Sequence, residues 1–314
     1  MKVVFFGTPE FSAEVLSYLI KNGIQVVAVI TKPDRPKGRS GTPVPTPVKI
    51  VAESLNPPIP YYQPAIVSAP EFADVLPKYD ADLFVVVAYG EIIKQHLLDM
   101  PKLGCINVHT SLLPKYRGAA PIQRSIIDGE LVTGVTVMHM VKKMDAGDII
   151  KQVEVPIEPN ASFPEIESSL CKAGCEALLQ VMHDFEKGQT VGIPQNHEFA
   201  TLAPKIELED CEIVWSKPAQ ALHNLVRGVF PEPGAWCYVT VKGQKKRLKI
   251  NATRVISDKF GAPGEILGYG KQGLIVACGS GSLNIVDLQL EGKKAMPAEE
   301  LMRGIPRESF SFLF

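Results

Sequence analysis

Five consecutive apolar residues, Leu83-Phe84-Val85-Val86-Val87, are too few for a buried helix and present no polar face, so they predict a strand covered on both sides. Strands of that kind belong to parallel sheets with crossover helices, and the neighbouring sequence alternates as such a sheet requires. Residues 2–6 read as a buried strand, 12–21 as an amphipathic helix and 25–30 as the next strand. Residues 82–88 supply the central strand and 105–109 another, with a further strand over 134–140 whose two faces are both mixed. The predicted class is α/β, with a Rossmann-like, mostly parallel sheet in the N-terminal domain.

A chain of 314 residues exceeds one average core, and the alternation lapses between residues 186 and 204 into Lys187-Gly188-Gln189, Gly192-Ile193-Pro194-Gln195-Asn196 and Ala203-Pro204. We therefore expect a first domain over 1–188, a linker over 189–206 and a smaller domain over 207–314. The last part carries one helix near 218–226 and short strands over 236–241, 247–256, 274–277 and 282–290, separated by glycine-rich turns. That pattern predicts a small β-barrel of the oligonucleotide-binding (OB) type. No apolar run approaches the roughly 20 residues that cross a bilayer, so a cytoplasmic protein without membrane contact is expected, and a monomer. Six cysteines include no Cys-x-x-Cys pair; Cys171 and Cys175, one helical turn apart, suit a core stripe better than a metal site. Free thiols and no metal are expected.

The net charge of −1 conceals an asymmetry. Residues 1–204 hold 18 basic and 22 acidic side chains, whereas 205–314 hold 15 and 12. Lys242, Lys245, Lys246, Arg247 and Lys249 place five cations in eight residues without a carboxylate, which suits either a phosphate-contacting surface or a solvated hairpin.

The first strand ends in Gly7-Thr8-Pro9-Glu10-Phe11, where a dinucleotide fold would carry its glycine fingerprint, but Pro9 and Phe11 occupy the positions that need bare backbone. The chain also lacks a phosphate loop, a His-Glu-x-x-His pattern and a Gly-x-Ser-x-Gly elbow. The densest signal runs from Asn107 to Pro121. Asn107 and His109, two apart on a strand, leave the same face at its carboxyl end, the edge where open α/β sheets bind ligands. An amide can stabilise an oxyanion while an imidazole moves protons, which is the equipment of acyl transfer. A buried histidine paired with an asparagine remains the alternative on this pair alone. Downstream, Asp145 and Asp148 flank Ala146-Gly147; one of them could orient His109, and both equally suit turn positions. Residues 31–47 form a basic, proline-rich loop far longer than the roughly 4 to 6 residues of ordinary connections, suited to gripping a phosphodiester chain or simply stiffened by its prolines.

Through Phe6-Gly7-Thr8-Pro9-Glu10-Phe11, Lys32-Pro33-Asp34-Arg35-Pro36, Val86-Val87-Ala88-Tyr89-Gly90, residues 107–121 and Met144-Asp145-Ala146-Gly147-Asp148, the sequence resembles the methionyl-tRNA formyltransferases of the folate-dependent formyltransferase superfamily. The resemblance spans nearly the whole chain. It implies formyl transfer from 10-formyltetrahydrofolate to the α-amino group of methionyl initiator tRNA, with Asn107, His109 and Asp145 as the catalytic set. It implies a folate site lined by Ser111, Leu112, Leu113 and Pro114, with the pterin near Val87, Ala88, Tyr89 and Ile92. Arg35, Lys37 and Arg39 of the long loop, with Lys245, Lys246 and Arg247 of the C-terminal domain, would contact tRNA, Arg39 lying closest to the acceptor stem. Two positions depart from the family's pattern: Thr110 stands where a small residue such as glycine is usual, and His139 where glutamine is. The Asn-x-His and aspartate motifs are shared across the superfamily and give the chemistry rather than the acceptor. A formyltransferase acting on an amino-sugar nucleotide is therefore the nearest alternative, and a non-catalytic RNA-binding protein the more distant one.

Overall fold

The apolar run Leu83–Val87 occupies the middle of a seven-stranded sheet in the computed structural model, which describes residues 1–36, 41–270 and 273–313. The strands are β1 (Lys2–Gly7), β2 (Gln25–Ile30), β3 (Tyr61–Tyr62), β4 (Leu83–Val87), β5 (Cys105–His109), β6 (Val132–His139) and β7 (Ile149–Pro156). Their spatial order is β7-β6-β5-β4-β1-β2-β3. Five are parallel neighbours, and β6 runs antiparallel to both β5 and β7. The expected mostly parallel sheet is therefore present, closed on one side by an antiparallel pair. The chain moves outward from β1 through β2 to β3 and then returns to β4 on the other side of β1. That reversal places a crevice at the carboxyl ends of β1 and β4.

Two compact units emerge. The first combines Met1–Gly118, Val132–Pro156 and Glu167–Leu202; the second combines Ala119–Leu131, Ile157–Ile166 and the chain from Ala203 onward. Two segments preceding the expected 189–206 boundary thus belong to the second unit. The reason is packing: helix Pro121–Ile127 lies so close to helix Ala219–Val229 that a Cβ on Gly228 would sit 2.9 Å from Ile127 Cγ1. Buried Arg227 donates to the Ala161 carbonyl at 3.0 Å, tying in the other segment. Residues 189–202, linker-like in composition, belong to the first unit.

The second unit carries an antiparallel, barrel-like sheet of β8 (Ala235–Val241), β9 (Gln244–Ile256), β10 (Ile266–Gly270), β11 (Gly273–Ala277), β12 (Ser282–Leu290) and β13 (Phe310–Phe312), ordered β10-β11-β12-β9-β8-β13. Alternate residues of β8, Ala235, Cys237, Val239 and Val241, enter its core with Leu248, Ile250 and Trp215. Helix Phe163–Glu186 starts within the second unit's Ile157–Ile166 segment, where Glu165 accepts from both the backbone N–H and the hydroxyl of Ser162, and continues into the first unit from Glu167. Its Cys171 and Cys175 are buried.

Candidate active site

Strand register decides which side chains share a face with Asn107 and His109. Met138 lies opposite Asn107 and Thr136 opposite His109, while Val137 and His139 pair with Val108 and Ile106 on the other face. His139, the departure from the family pattern, is thus turned away from His109 and packs edge-on against Phe185, with ring centroids 6.1 Å apart. Burial holds its pKa below the usual value, opposed by the nearby Asp148 carboxylate.

His109 is 6% exposed, and its Nε2 lies 2.9 Å from the carbonyl oxygen of Tyr116. A carbonyl only accepts, so Nε2 carries a hydrogen, and Nδ1 is the ring nitrogen on the side of Asp145. Nδ1 stands 3.8 Å from Asp145 Oδ2, which itself accepts from the backbone N–H of Gly118 at 2.9 Å. Asp145 is held with φ at +49°, a left-handed conformation uncommon outside glycine. Asn107 is half-buried, and among the described residues its amide has no hydrogen-bond partner. One tethered imidazole, one tethered carboxylate and one uncommitted amide therefore stand at the carboxyl end of β5.

The turn after β5 is fastened from β6 and β7. Thr136 Oγ1 donates to the Ser111 carbonyl at 2.7 Å and accepts from the Leu113 N–H at 3.2 Å. Gln152 Nε2 reaches both the Leu113 carbonyl (2.8 Å) and Thr136 Oγ1 (2.9 Å). Ser111 Oγ closes the turn on the Lys115 carbonyl. Ser111 and Leu113 are buried by these contacts, leaving Leu112 and Pro114 as the half-exposed members of the set. Thr136 and Gln152 escaped sequence reasoning because only the strand register brings them here.

In the crevice after β1 and β4, Ser12 Oγ donates to the Val87 carbonyl (2.6 Å) and Thr8 Oγ1 to the Tyr89 carbonyl (2.9 Å). A Cβ on Gly7 would lie 2.7 Å from both Phe5 Cε1 and Ser12 Cβ, which explains the glycine. Val87 and the Tyr89 ring are buried, Tyr89 edge-on to Phe6, whereas Ala88 and Ile92 are exposed. Burial pushes the Tyr89 phenol above its usual pKa, and its hydroxyl has no partner among the described residues. Lys32 sits over this ring and pairs with Glu91 at 2.5 Å.

Of the expected tRNA contacts, Arg35 is exposed at the base of the long loop, and Lys37 and Arg39 lie outside the described residues. On β9, Lys245 and Arg247 share one face and stack over Tyr238 and Trp236 of β8 at 3.9 and 4.4 Å. Lys246 alternates to the opposite face, that of buried Leu248 and Ile250. Among the described residues, no three His, Cys, Asp or Glu side chains converge as a metal site, and no helix is long and apolar enough to cross a membrane.

The chain thus combines a mostly parallel sheet, carrying an amide, an imidazole and a carboxylate at its edge, with a barrel-like unit. Residues 1–182 match the family described as "Formyl transferase", and residues 205–306 match "Formyl transferase, C-terminal domain". The chain is 60% identical over 313 residues to a protein of Protochlamydia amoebophila named methionyl-tRNA formyltransferase, covering 100% of this chain and 98% of that one. It belongs to the methionyl-tRNA formyltransferase family. Among solved structures, the fold is similar to WlaRD, a sugar 3N-formyl transferase crystallised with dTDP and 5-N-formyl-THF (TM-score 0.66, 19% identity, 94% of this chain and 99% of that one). It is also similar to HypX from Aquifex aeolicus in complex with tetrahydrofolic acid (TM-score 0.65, 18% identity, 96% of this chain). The chain spans about half the length of HypX, covering 46% of it.

Proposed function

We infer that this chain transfers the formyl group of 10-formyltetrahydrofolate to the α-amino group of methionyl initiator tRNA. The observation that carries the acceptor is the 60% identity, end to end, with a protein named for that activity. The convergence of Asn107, His109 and Asp145 supports the chemistry independently of any name. The half-exposed Leu112 and Pro114, with exposed Ala88 and Ile92, suit a flat, partly apolar folate donor, while buried Val87, Tyr89, Ser111 and Leu113 shape the walls behind them.

The donor supplies an activated N-formyl carbonyl. The neutral amine of the methionyl ester attacks the formyl carbon; the new C–N bond forms, the bond to the folate nitrogen breaks, and the proton lost by the amine ends on that nitrogen. Asn107 donates to the oxyanion, because among the described residues its N–H groups have no partner. His109, anchored through Nε2, presents Nδ1 for proton traffic, and the carboxylate of Asp145 stabilises the imidazolium when it forms. No covalent enzyme intermediate is required. Exposed Arg35 and the cation-over-aromatic face of β8 and β9 suit contacts with the RNA backbone and bases. The chain works in this reading as a monomer, without metal, in the cytoplasm.

The test is transfer of labelled formyl from 10-formyltetrahydrofolate, offered in parallel to methionyl initiator tRNA, methionyl elongator tRNA and an amino-sugar nucleotide. Label entering the initiator tRNA alone is the expected result. Label entering the sugar would keep the chemistry and overturn the acceptor, and label entering nothing would overturn both.

A further inference from the structure

Gln195 lies in a stretch without helix or strand, Ile193-Pro194-Gln195-Asn196, yet it is only 6% exposed. Both ends of its amide are fully used. Its oxygen accepts from Arg117 Nε at 3.1 Å and Nη2 at 2.5 Å, and its nitrogen donates to the Asp145 carbonyl at 2.9 Å and the Gly147 carbonyl at 2.7 Å. Guanidinium groups only donate and main-chain carbonyls only accept, so the amide has one possible orientation. Arg117, 5% exposed, is steadied in turn by His197 Nδ1 at 2.8 Å.

The two carbonyls held by Gln195 belong to the most constrained part of the loop. Asp145 has its φ of +49°, and a Cβ on Gly147 would lie 1.8 Å from the His139 carbonyl oxygen. The neighbouring dipeptide Arg117-Gly118 grips the same aspartate twice. The Gly118 N–H holds its carboxylate, and the Arg117 side chain, through Gln195, holds its carbonyl. A fully satisfied buried network of this kind specifies one geometry rather than a range.

We propose that Gln195 is a positioning residue for formyl transfer, its side-chain amide fixing the Asp145 carboxylate beside His109. This rests on the catalytic reading of Asn107, His109 and Asp145 given above. Gln195 touches no reacting atom; it acts through the loop. Misplacing a catalytic group by about 1 Å can cost about 100-fold in rate, so loss of the clamp is expected to lower kcat by about 10- to 100-fold.

Gln195→Glu is the discriminating substitution. It keeps the size and the oxygen that faces Arg117, but turns an acceptor toward two carbonyls in place of the NH2 donor. Gln195→Met, of similar length and without donor or acceptor, serves as the second variant should the carboxylate disturb folding. Both are assayed as full chains with methionyl initiator tRNA and 10-formyltetrahydrofolate, beside Asp145→Asn and the double variant Asp145→Asn with Gln195→Glu. The expected result is a folded Gln195 variant with kcat lowered about 10- to 100-fold, KM for both substrates within about two-fold, and less than about three-fold further loss when Gln195→Glu is added to Asp145→Asn. A folded variant with kcat within two-fold of the parent would overturn the proposal, as would a loss expressed in KM alone. A loss of undiminished size in the Asp145→Asn background would make Gln195 merely structural and overturn it too. Normal turnover by Asp145→Asn itself would overturn the catalytic reading and this proposal with it.

Discussion

Because no described residue bonds to the amide of half-buried Asn107, its removal separates chemistry from stability cleanly. Asn107→Ala should leave stability within about 0.5 kcal/mol of the parent, as for surface substitutions without special contacts. Its kcat should fall by about 100- to 1,000-fold, the usual effect of losing one oxyanion donor. Thermal melting and steady-state kinetics on the same preparation check both halves, and an unchanged kcat would remove Asn107 from the mechanism. His109 would be a poorer probe, since its Nε2–H also holds the Tyr116 carbonyl. At this scale Asn107 and His109 were legible because a strand's period of two is written in the sequence. Gln195 was not, because its partners Asp145 and Arg117 lie 50 and 78 residues away and its own neighbours read as linker.

Whole elements were legible wherever apolar runs were continuous, as in β1, β2 and β4, and less so where pairing alone makes the strand. The edge strand β7, with Lys151, Gln152 and Glu154 among its residues, exists because β6 offers it a partner. Its Gln152 then fastens the Ser111–Leu113 turn together with Thr136, so the sheet edge missed in the sequence is what shapes the expected folate wall. Thr136→Val removes the hydroxyl and leaves the buried Leu113 N–H without its acceptor, at a cost of about 1–3 kcal/mol. The donor KM should rise while the KM for tRNA holds; equal change in both would detach the turn from the folate site. In the second unit, helix Ala219–Val229 is pinned by His223, which bonds Thr253 Oγ1 at 2.9 Å and the Pro159 carbonyl at 3.2 Å. Burial lowers its pKa below the usual 6.5, with Arg227 and Arg254 also opposing its charge. The unfolded chain therefore takes up this proton first, so the stability His223 contributes is present above about pH 6.5 and is lost as pH falls through its folded pKa. The melting-temperature advantage of the parent over His223→Gln should shrink between pH 8 and pH 5; an advantage independent of pH would show that the imidazole does not titrate in that window.

Over the whole molecule, the charge asymmetry seen in the sequence acquires a surface. Residues from 205 onward carry the basic excess, and on β9 that excess is sorted by strand alternation: Lys245 and Arg247 lie over the rings of Tyr238 and Trp236, and Lys246 faces the other way. A cation stacked on an aromatic ring keeps its charge while its side chain is held in place, which favours contact with phosphates and bases over free solvation. Each cation that contacts a phosphate releases counterions on binding, so the dependence of log affinity on log salt should flatten by about one unit for Lys245→Ala and again for Arg247→Ala. Lys246→Ala, at the third of the cluster's five cations yet on the opposite face, should leave that slope unaltered. The donor KM should not move in any of the three, because the folate contacts proposed here all lie in the first unit. The decisive comparison is between neighbours: equal flattening by Lys245→Ala and Lys246→Ala would mean that RNA senses the net charge of the hairpin, and not the face that β8 and β9 arrange.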